Sequence, residues 1–249
     1  MVKSCENLES LFEIWKNKPI GIMKYKDQES NEMITVTIDH SQVFISDGPI
    51  CEKSWKQNEN GKRILFLLKE AYGGYADWSL NDWLRKTGPS SSIWYRVVEW
   101  TYGILNTTRE SIPRYSPENI SFNKSENEPN EWLRQIAVVN IKKSGGRSSS
   151  DYGEIHAYAK HDKEEIIREI ELLDPDIIVC GGTAAALNEI CDGKIKQYYC
   201  DNWYYYSNAI GGRERLFIDY YHPANRYPAL LNYYGIVNIY QQALIGKEL

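Results

Sequence analysis

Four predominantly apolar runs, at 64–68, 136–141, 177–180 and 216–220, punctuate the chain beyond residue 60, with stretches of helical periodicity between them. Runs of this length without alternation mark strands covered on both faces. Between them, 91–105 places Ile93, Val97, Trp100, Tyr102 and Leu105 at helical spacing. The segment 162–173 repeats Ile166, Ile167, Ile170 and Leu173 on one face; Asp162 is placed to cap it with Glu165 at the third position, and Pro175 blocks continuation. Further helices begin near Thr183, after Gly181-Gly182, and at Pro228, where Leu230, Tyr234, Val237 and Leu244 form a stripe. This alternation predicts an α/β fold, a three-layer α/β/α sandwich about a central, mostly parallel four-stranded sheet.

Ahead of these runs, Leu8, Leu11, Phe12 and Trp15 make 4–18 an amphipathic helix, and 33–38 alternates as a short strand. Polar punctuation at 28–31 and 57–61 sets residues 1–60 apart as an N-terminal extension packed on a core domain of 61–249. The polar stretch 106–130, with Pro113, Pro117 and Pro129, reads as an insertion in that domain.

Composition narrows the classes. The 249 residues are 42% hydrophobic and 25% charged, an ordinary globular balance. No run approaches the roughly 20 apolar residues of a membrane span. The N-terminal residues lack the apolar stretch of about 7 to 15 residues found in a signal peptide, so a cytoplasmic protein without a membrane partner is expected. Cysteines at 5, 51, 180, 191 and 200 form no C-x-x-C pair, which predicts reduced thiols, no zinc site and no cofactor. A net charge of −5 removes whole-surface attraction to nucleic acid, so such binding needs a local basic face. The 19 tyrosines, eight tryptophans and five phenylalanines, 13% of the chain, suit both core filling and stacking on bases. The stretch 198–206, with five tyrosines and Trp203, reads as cross-strand packing in a hairpin ahead of the alternative, stacking on bases.

Ligands of open parallel sheets collect beyond the carboxyl ends of the strands. The first strand leads into Lys69-Glu70-Ala71-Tyr72-Gly73-Gly74, a tight turn able to hold a reactive acid, or simply a solvated glutamate. The second ends at Asn140, whose amide offers a donor and an acceptor to the edge of a pyrimidine. Lys142, Lys143, Gly145, Gly146, Arg147 and three serines follow and suit phosphates; the plain alternative is a satisfied turn asparagine before a flexible loop. The third leads to Gly181-Gly182-Thr183, an unspecific anion-site pattern. The fourth releases His222 into a loop holding Pro223 and Pro228. A lone histidine is more often a core hydrogen-bonding residue, but Glu70, Asn140 and His222 belong to the same sheet edge.

In order and spacing these segments resemble the uracil-DNA glycosylase superfamily, with its strand ending in G-Q-D-P-Y, its central strand ending in a base-reading Asn, and its H-P-S before a helix. The counterparts are Leu68-Lys69-Glu70-Ala71-Tyr72, Val138-Val139-Asn140 and His222-Pro223-Ala224, and 174–183 resembles the strand between the last two motifs. The resemblance covers about 61–234 apart from the polar insertion 106–130 and leaves the first sixty residues without a counterpart. It implies hydrolysis of the N-glycosidic bond of uracil or a related base in DNA. Glu70 would position the water, His222 would steady charge on the departing base, Asn140 would read its edge, and Lys69 and Tyr72 would complete the pocket. Trp78 or Trp83 would stack on the base, and Lys142, Lys143, Arg147 and Arg226 would contact DNA. Lys69, Glu70, Ala71 and Ala224 depart from the family's Gln, Asp, Pro and Ser. The iron-sulfur subtype is not expected, because no cysteine cluster adjoins the first motif. Two other readings stay open: a catalytically inactive module binding a nucleotide, modified base or nucleic-acid end, and a nucleoside hydrolase.

Overall fold

The computed structural model describes residues 2–57, 61–74, 76–89, 91–120, 130–196 and 203–247, with the backbone alone at Asn119. Most of the expected hairpin 198–206, Cys200 and most of the insertion's second half thus lie outside the described residues. A 3-10 turn at Val2–Ser4 leads into α1 (Leu8–Lys16), β1 (Gly21–Lys26), β2 (Met33–Ile38), β3 (Ile45–Ser46), β4 (Gly48–Pro49) and α2 (Glu52–Gln57). Then come β5 (Ile64–Tyr72), β6 (Trp78–Ser79), α3 (Leu80–Thr87), α4 (Ser92–Asn106), α5 (Pro117–Ile120) and α6 (Glu131–Arg134). The rest is β7 (Ile136–Gly146), α7 (Tyr152–His161), α8 (Lys163–Leu173), β8 (Ile177–Gly181), α9 (Ala184–Ile190), β9 (Tyr204–Ser207), β10 (Arg215–Tyr220) and α10 (Ala229–Gly246).

The four apolar runs become β5, β7, β8 and β10, which lie side by side and parallel in the order β7-β5-β8-β10. Antiparallel β4 and β9 extend this to six strands. Alternate strand residues feed two hydrophobic clusters. Ile64, Phe66, Val138, Val179 and Ile218 meet Trp100 of α4 and Tyr233 of α10. Leu65, Leu67, Val139, Ile178 and Phe217 meet Trp15 of α1, Ile155 of α7 and Ile166 of α8. Helices therefore cover both faces. No helix among the described residues is long and apolar enough to cross a membrane.

The first sixty residues do more than sit on this core. β4 is an edge strand of the main sheet, and the β1–β2 hairpin packs on α7. β1 escaped the sequence reading because its alternation is short: only Met23 and Tyr25 turn inward, and the apolar Ile22 between Gly21 and Met23 is exposed. Just before β4, Asp47 is fully buried and receives Lys143 of β7 together with the backbone N–H of Asn140 at 2.7 Å. Lys143 also pairs with Glu169 of α8 at 2.8 Å, and all three charged side chains are 0% exposed. Burial and the neighbouring Asp47 carboxylate push Glu169 well above the usual carboxylate range, against the pull of Lys143. A proton on Glu169 leaves one cation facing one anion.

Asp162 departs from its expected role. It precedes α8 without capping it through its side chain. Its carboxylate instead accepts from His40 Nε2 at 2.9 Å and His161 Nδ1 at 2.6 Å, with the Lys18 ammonium 3.4 Å away. Burial alone would raise this carboxyl, but those partners bring it down to about 2.

Two outcomes follow for stability. Lys143→Met strands Asp47 as an unpaired buried charge and should cost about 3–5 kcal/mol in urea unfolding. Glu169 is raised in the folded state, so its stabilising share is present at acid pH and is lost as pH rises from the ordinary carboxylate range through its folded value. Glu169→Gln cannot ionise, and its unfolding free energy should fall less between pH 5 and 9 than that of the parent.

Candidate functional site

β5 runs past its apolar segment to Tyr72, and its pairing with β7 shifts register between Glu70 and Tyr72. That irregularity and a set of glycines draw the two strand ends together. A Cβ on Gly145 would stand 2.2 Å from the Gly73 carbonyl oxygen, and one on Gly146 would stand 2.5 Å from Glu70 Cγ. Contacts that close exclude any larger side chain. Glu70 is pressed against Gly146, its side chain 3% exposed, and its Oε1 has no hydrogen-bond partner.

The cation beside Glu70 is Lys142, at 3.0 Å from Oε2. Lys69, its neighbour in sequence, instead stands over the Tyr152 ring at 4.6 Å from the centroid. Lys142 makes a second pair with Glu154 of α7 at 2.9 Å, and Glu154 in turn holds Arg147 at 2.7 Å. Burial favours a neutral Lys142, but the Glu70 and Glu154 charges outweigh it and hold the ammonium above its ordinary range. Burial lowers Lys69, with the Glu70 charge opposing.

His222 follows β10. Its Nδ1 accepts the backbone N–H of Ala224 at 3.1 Å, so the neutral ring carries its proton on Nε2 as a donor. Burial, reinforced by the positive charge of Lys69, holds His222 down to about 3. The loop beyond it is clamped from α4, where the Arg96 guanidinium donates to the carbonyls of Pro223 at 2.7 Å, Asn225, and Tyr227 at 3.0 Å. A reciprocal amide pair, Asn225 with Asn232 of α10 at 2.9 and 3.0 Å, ties the same loop to the last helix.

Glu70 and His222 line one cavity of about 750 Å³, together with Lys69, Tyr72, Arg147 and the serines at 148–150. Tyr152, Trp203, Tyr220 and Tyr221 give it an aromatic wall, and Asp219 and Asn225 add polar groups. Gly182 borders it too, and a Cβ there would meet the Tyr152 hydroxyl at 3.2 Å. A Cβ on Gly181 would meet Leu68 Cδ2 at 2.7 Å, so this glycine serves close packing, and the Thr183 hydroxyl is spent on the Leu67 carbonyl at 2.7 Å.

Several expected site residues lie elsewhere. Asn140 is buried, its amide nitrogen 3.2 Å from Asp47 Oδ2, and it is not among the cavity's lining residues. Trp78 and Trp83 form an edge-on pair at 6.5 Å outside the cavity, because β6 carries the chain away to pair with β3. Lys142 and Lys143 cannot reach phosphates: they are 4% and 0% exposed and fully engaged in ion pairs. Arg147 is 63% exposed at the cavity, whereas Arg226 is exposed but does not line it. Arg96, Tyr152 and Trp203 were missed. Arg96 looks like any polar residue of an amphipathic helix, and Trp203 belongs to a stretch read as packing, which holds for Tyr204 and Tyr206 against the core.

A donor set of metal type occurs among the described residues at His40, His161 and Asp162, which hydrogen-bond one another and do not border the cavity. No family model matches the sequence, and no curated protein matches it.

The state of His222 is directly measurable. Nitrogen-15 NMR should show a neutral ring protonated at Nε2 from pH 8 down to pH 5; a protonation midpoint near the ordinary value of about 6.5 would contradict the site described above.

Proposed function

We propose that the protein hydrolyses the N-glycosidic bond of uracil or a related base in DNA, in the manner of the uracil-DNA glycosylases its motifs resemble. One observation carries this reading: a buried carboxylate with an unpartnered oxygen, Glu70, and a neutral Nε2–H donor, His222, border the same aromatic-walled cavity. Breaking the bond between the sugar C1′ and the base nitrogen leaves positive charge on the sugar and sends the electron pair out with the base. Glu70 opposes the first charge and takes the proton of the water that attacks C1′. The His222 Nε2–H donates to the departing base; a ring held neutral makes that donation across the physiological pH range. Lys69 adds a positive charge on the same side. Tyr152, Trp203 and Tyr221 offer faces on which a flipped base stacks, the unstacking itself costing a few kcal/mol.

The second reading, a module that binds a nucleotide or nucleic-acid end without cutting it, draws support from Asn140. With that amide held by Asp47, the group expected to read the base edge is already occupied.

One experiment separates the two. With oligonucleotides containing uracil or another deaminated base, the hydrolase should release an abasic product, and Glu70→Gln should slow release by about 10² to 10⁴. Removing the donor with His222→Ala should cost about 10² to 10³. No product from any substrate, with oligonucleotide binding that survives Glu70→Gln, would establish the binding module instead.

A further inference from the structure

Glu70 is joined to the rim of the cavity by a line of alternating charges. Arg147 pairs with Glu154 Oε2 at 2.7 Å, Glu154 Oε1 with Lys142 at 2.9 Å, and Lys142 with Glu70 Oε2 at 3.0 Å. The three inner side chains are 8%, 4% and 3% exposed, and only the outer end, Arg147 at 63%, meets solvent. We propose that this line is a relay: a phosphate of the ligand taken up by Arg147 loosens the grip of Lys142 on Glu70 and releases that carboxylate to hold water. The inference rests on the reading of Glu70 given under Proposed function. Lys142 and Glu154 act through Glu70 and are positioning residues; Arg147 touches the ligand.

The argument is electrostatic. Lys142 has a single charge to divide between Glu70 and Glu154, and Arg147 supplies the fourth charge that balances the set. The three inner charges are out of water and weakly screened, so a change in how Arg147 holds Glu154 passes along them to Glu70. A phosphate at Arg147 competes with Glu154 for the guanidinium, and Glu154 then draws more on Lys142. Glu70 is left with a larger uncompensated charge and an unpartnered Oε1, both of which favour a water as hydrogen-bond donor.

The neighbouring Lys143 shows the contrast. It too sits between two carboxylates, but there the balancing charge is the proton held by buried Glu169, which no ligand reaches. In the Lys142 set the balancing group faces the cavity, next to the serine hydroxyls at 148–150 that suit a phosphate. The other titratable or charged groups around Glu70 are Lys69 on β5, Tyr152 and Tyr158 on α7, Asp219 on β10 and His222 beyond it, with Tyr25 of β1 bonded to Arg147. None of them lies in the line from Arg147 to Glu70.

A carboxyl carbon-13 NMR titration of Glu70 in the full chain, assigned by difference from Glu70→Gln, tests the relay without requiring turnover. Lys142→Met and Arg147→Ala each remove a cation and should move the Glu70 midpoint up, the former by roughly one pH unit or more. Glu154→Gln leaves Lys142 undivided and should move it down. A thymidine pentanucleotide should raise the midpoint in the parent and leave Arg147→Ala unchanged. Should Lys142→Met not fold, the opposite shifts of Arg147→Ala and Glu154→Gln decide. Shifts of one sign in those two variants, or an equal pentanucleotide effect with and without Arg147, overturn the relay. Absence of abasic product alongside the expected shifts counts against the hydrolase reading and leaves the relay standing.

Discussion

Two consecutive lysines within one long strand, β7, tie distant parts of the architecture together. Lys142 and Lys143 point to different surroundings, as successive strand residues must, and each is taken almost wholly out of water. An ammonium moved that far from solvent costs several kcal/mol unless carboxylates surround it. Each lysine therefore recruits two acids from distant segments: Glu70 of β5 and Glu154 of α7 for the one, Asp47 ahead of β4 and Glu169 of α8 for the other. The positions of a central strand, an edge strand and two helices are fixed by the need to satisfy two side chains.

The same requirement shapes the cavity. Glu70 stays a defined group because Lys142 holds one oxygen and Gly146 allows the side chain to be pressed flat, while the other oxygen is left over. Elsewhere in the same lining the geometry works the other way: a histidine is desolvated beside a cation and so kept neutral, with a backbone N–H fixing which nitrogen bears the proton. An acid paired to a buried ammonium and an uncharged donor lining one cavity is an arrangement that neither burial nor hydrogen bonding alone would produce.

The layout was largely legible in the sequence, and the reasons are physical. Predominantly apolar runs at 64–68, 136–141, 177–180 and 216–220 read as strands covered on both sides, and parallel strands put their downstream residues at one edge. That logic suffices to bring Glu70 and His222 together. It fails wherever the deciding partner is remote. Asn140 looks like a base reader until Asp47, 93 positions earlier, takes its amide. Lys142 and Lys143 look like solvated phosphate contacts because adjacent lysines after a strand usually are, and their acids occur at 47, 70, 154 and 169 without local pattern. Trp78 and Trp83 follow the first motif closely, but the two-residue pairing of β6 with β3 turns them away.

The placement of Asp47 has a consequence for how the chain is made. It leaves the ribosome nearly a hundred residues before Lys143, and Glu169 comes later still. Until β7 has emerged, Asp47 has no ammonium to meet, and β4 has no strand beside which to lie. The nascent N-terminal segment must therefore wait, hydrated, for its partners, so the sheet closes on that side only after β7 has been synthesised. A chain truncated before residue 169 would keep the Asp47–Lys143 pair but leave the far side of that ammonium without the acid that closes it.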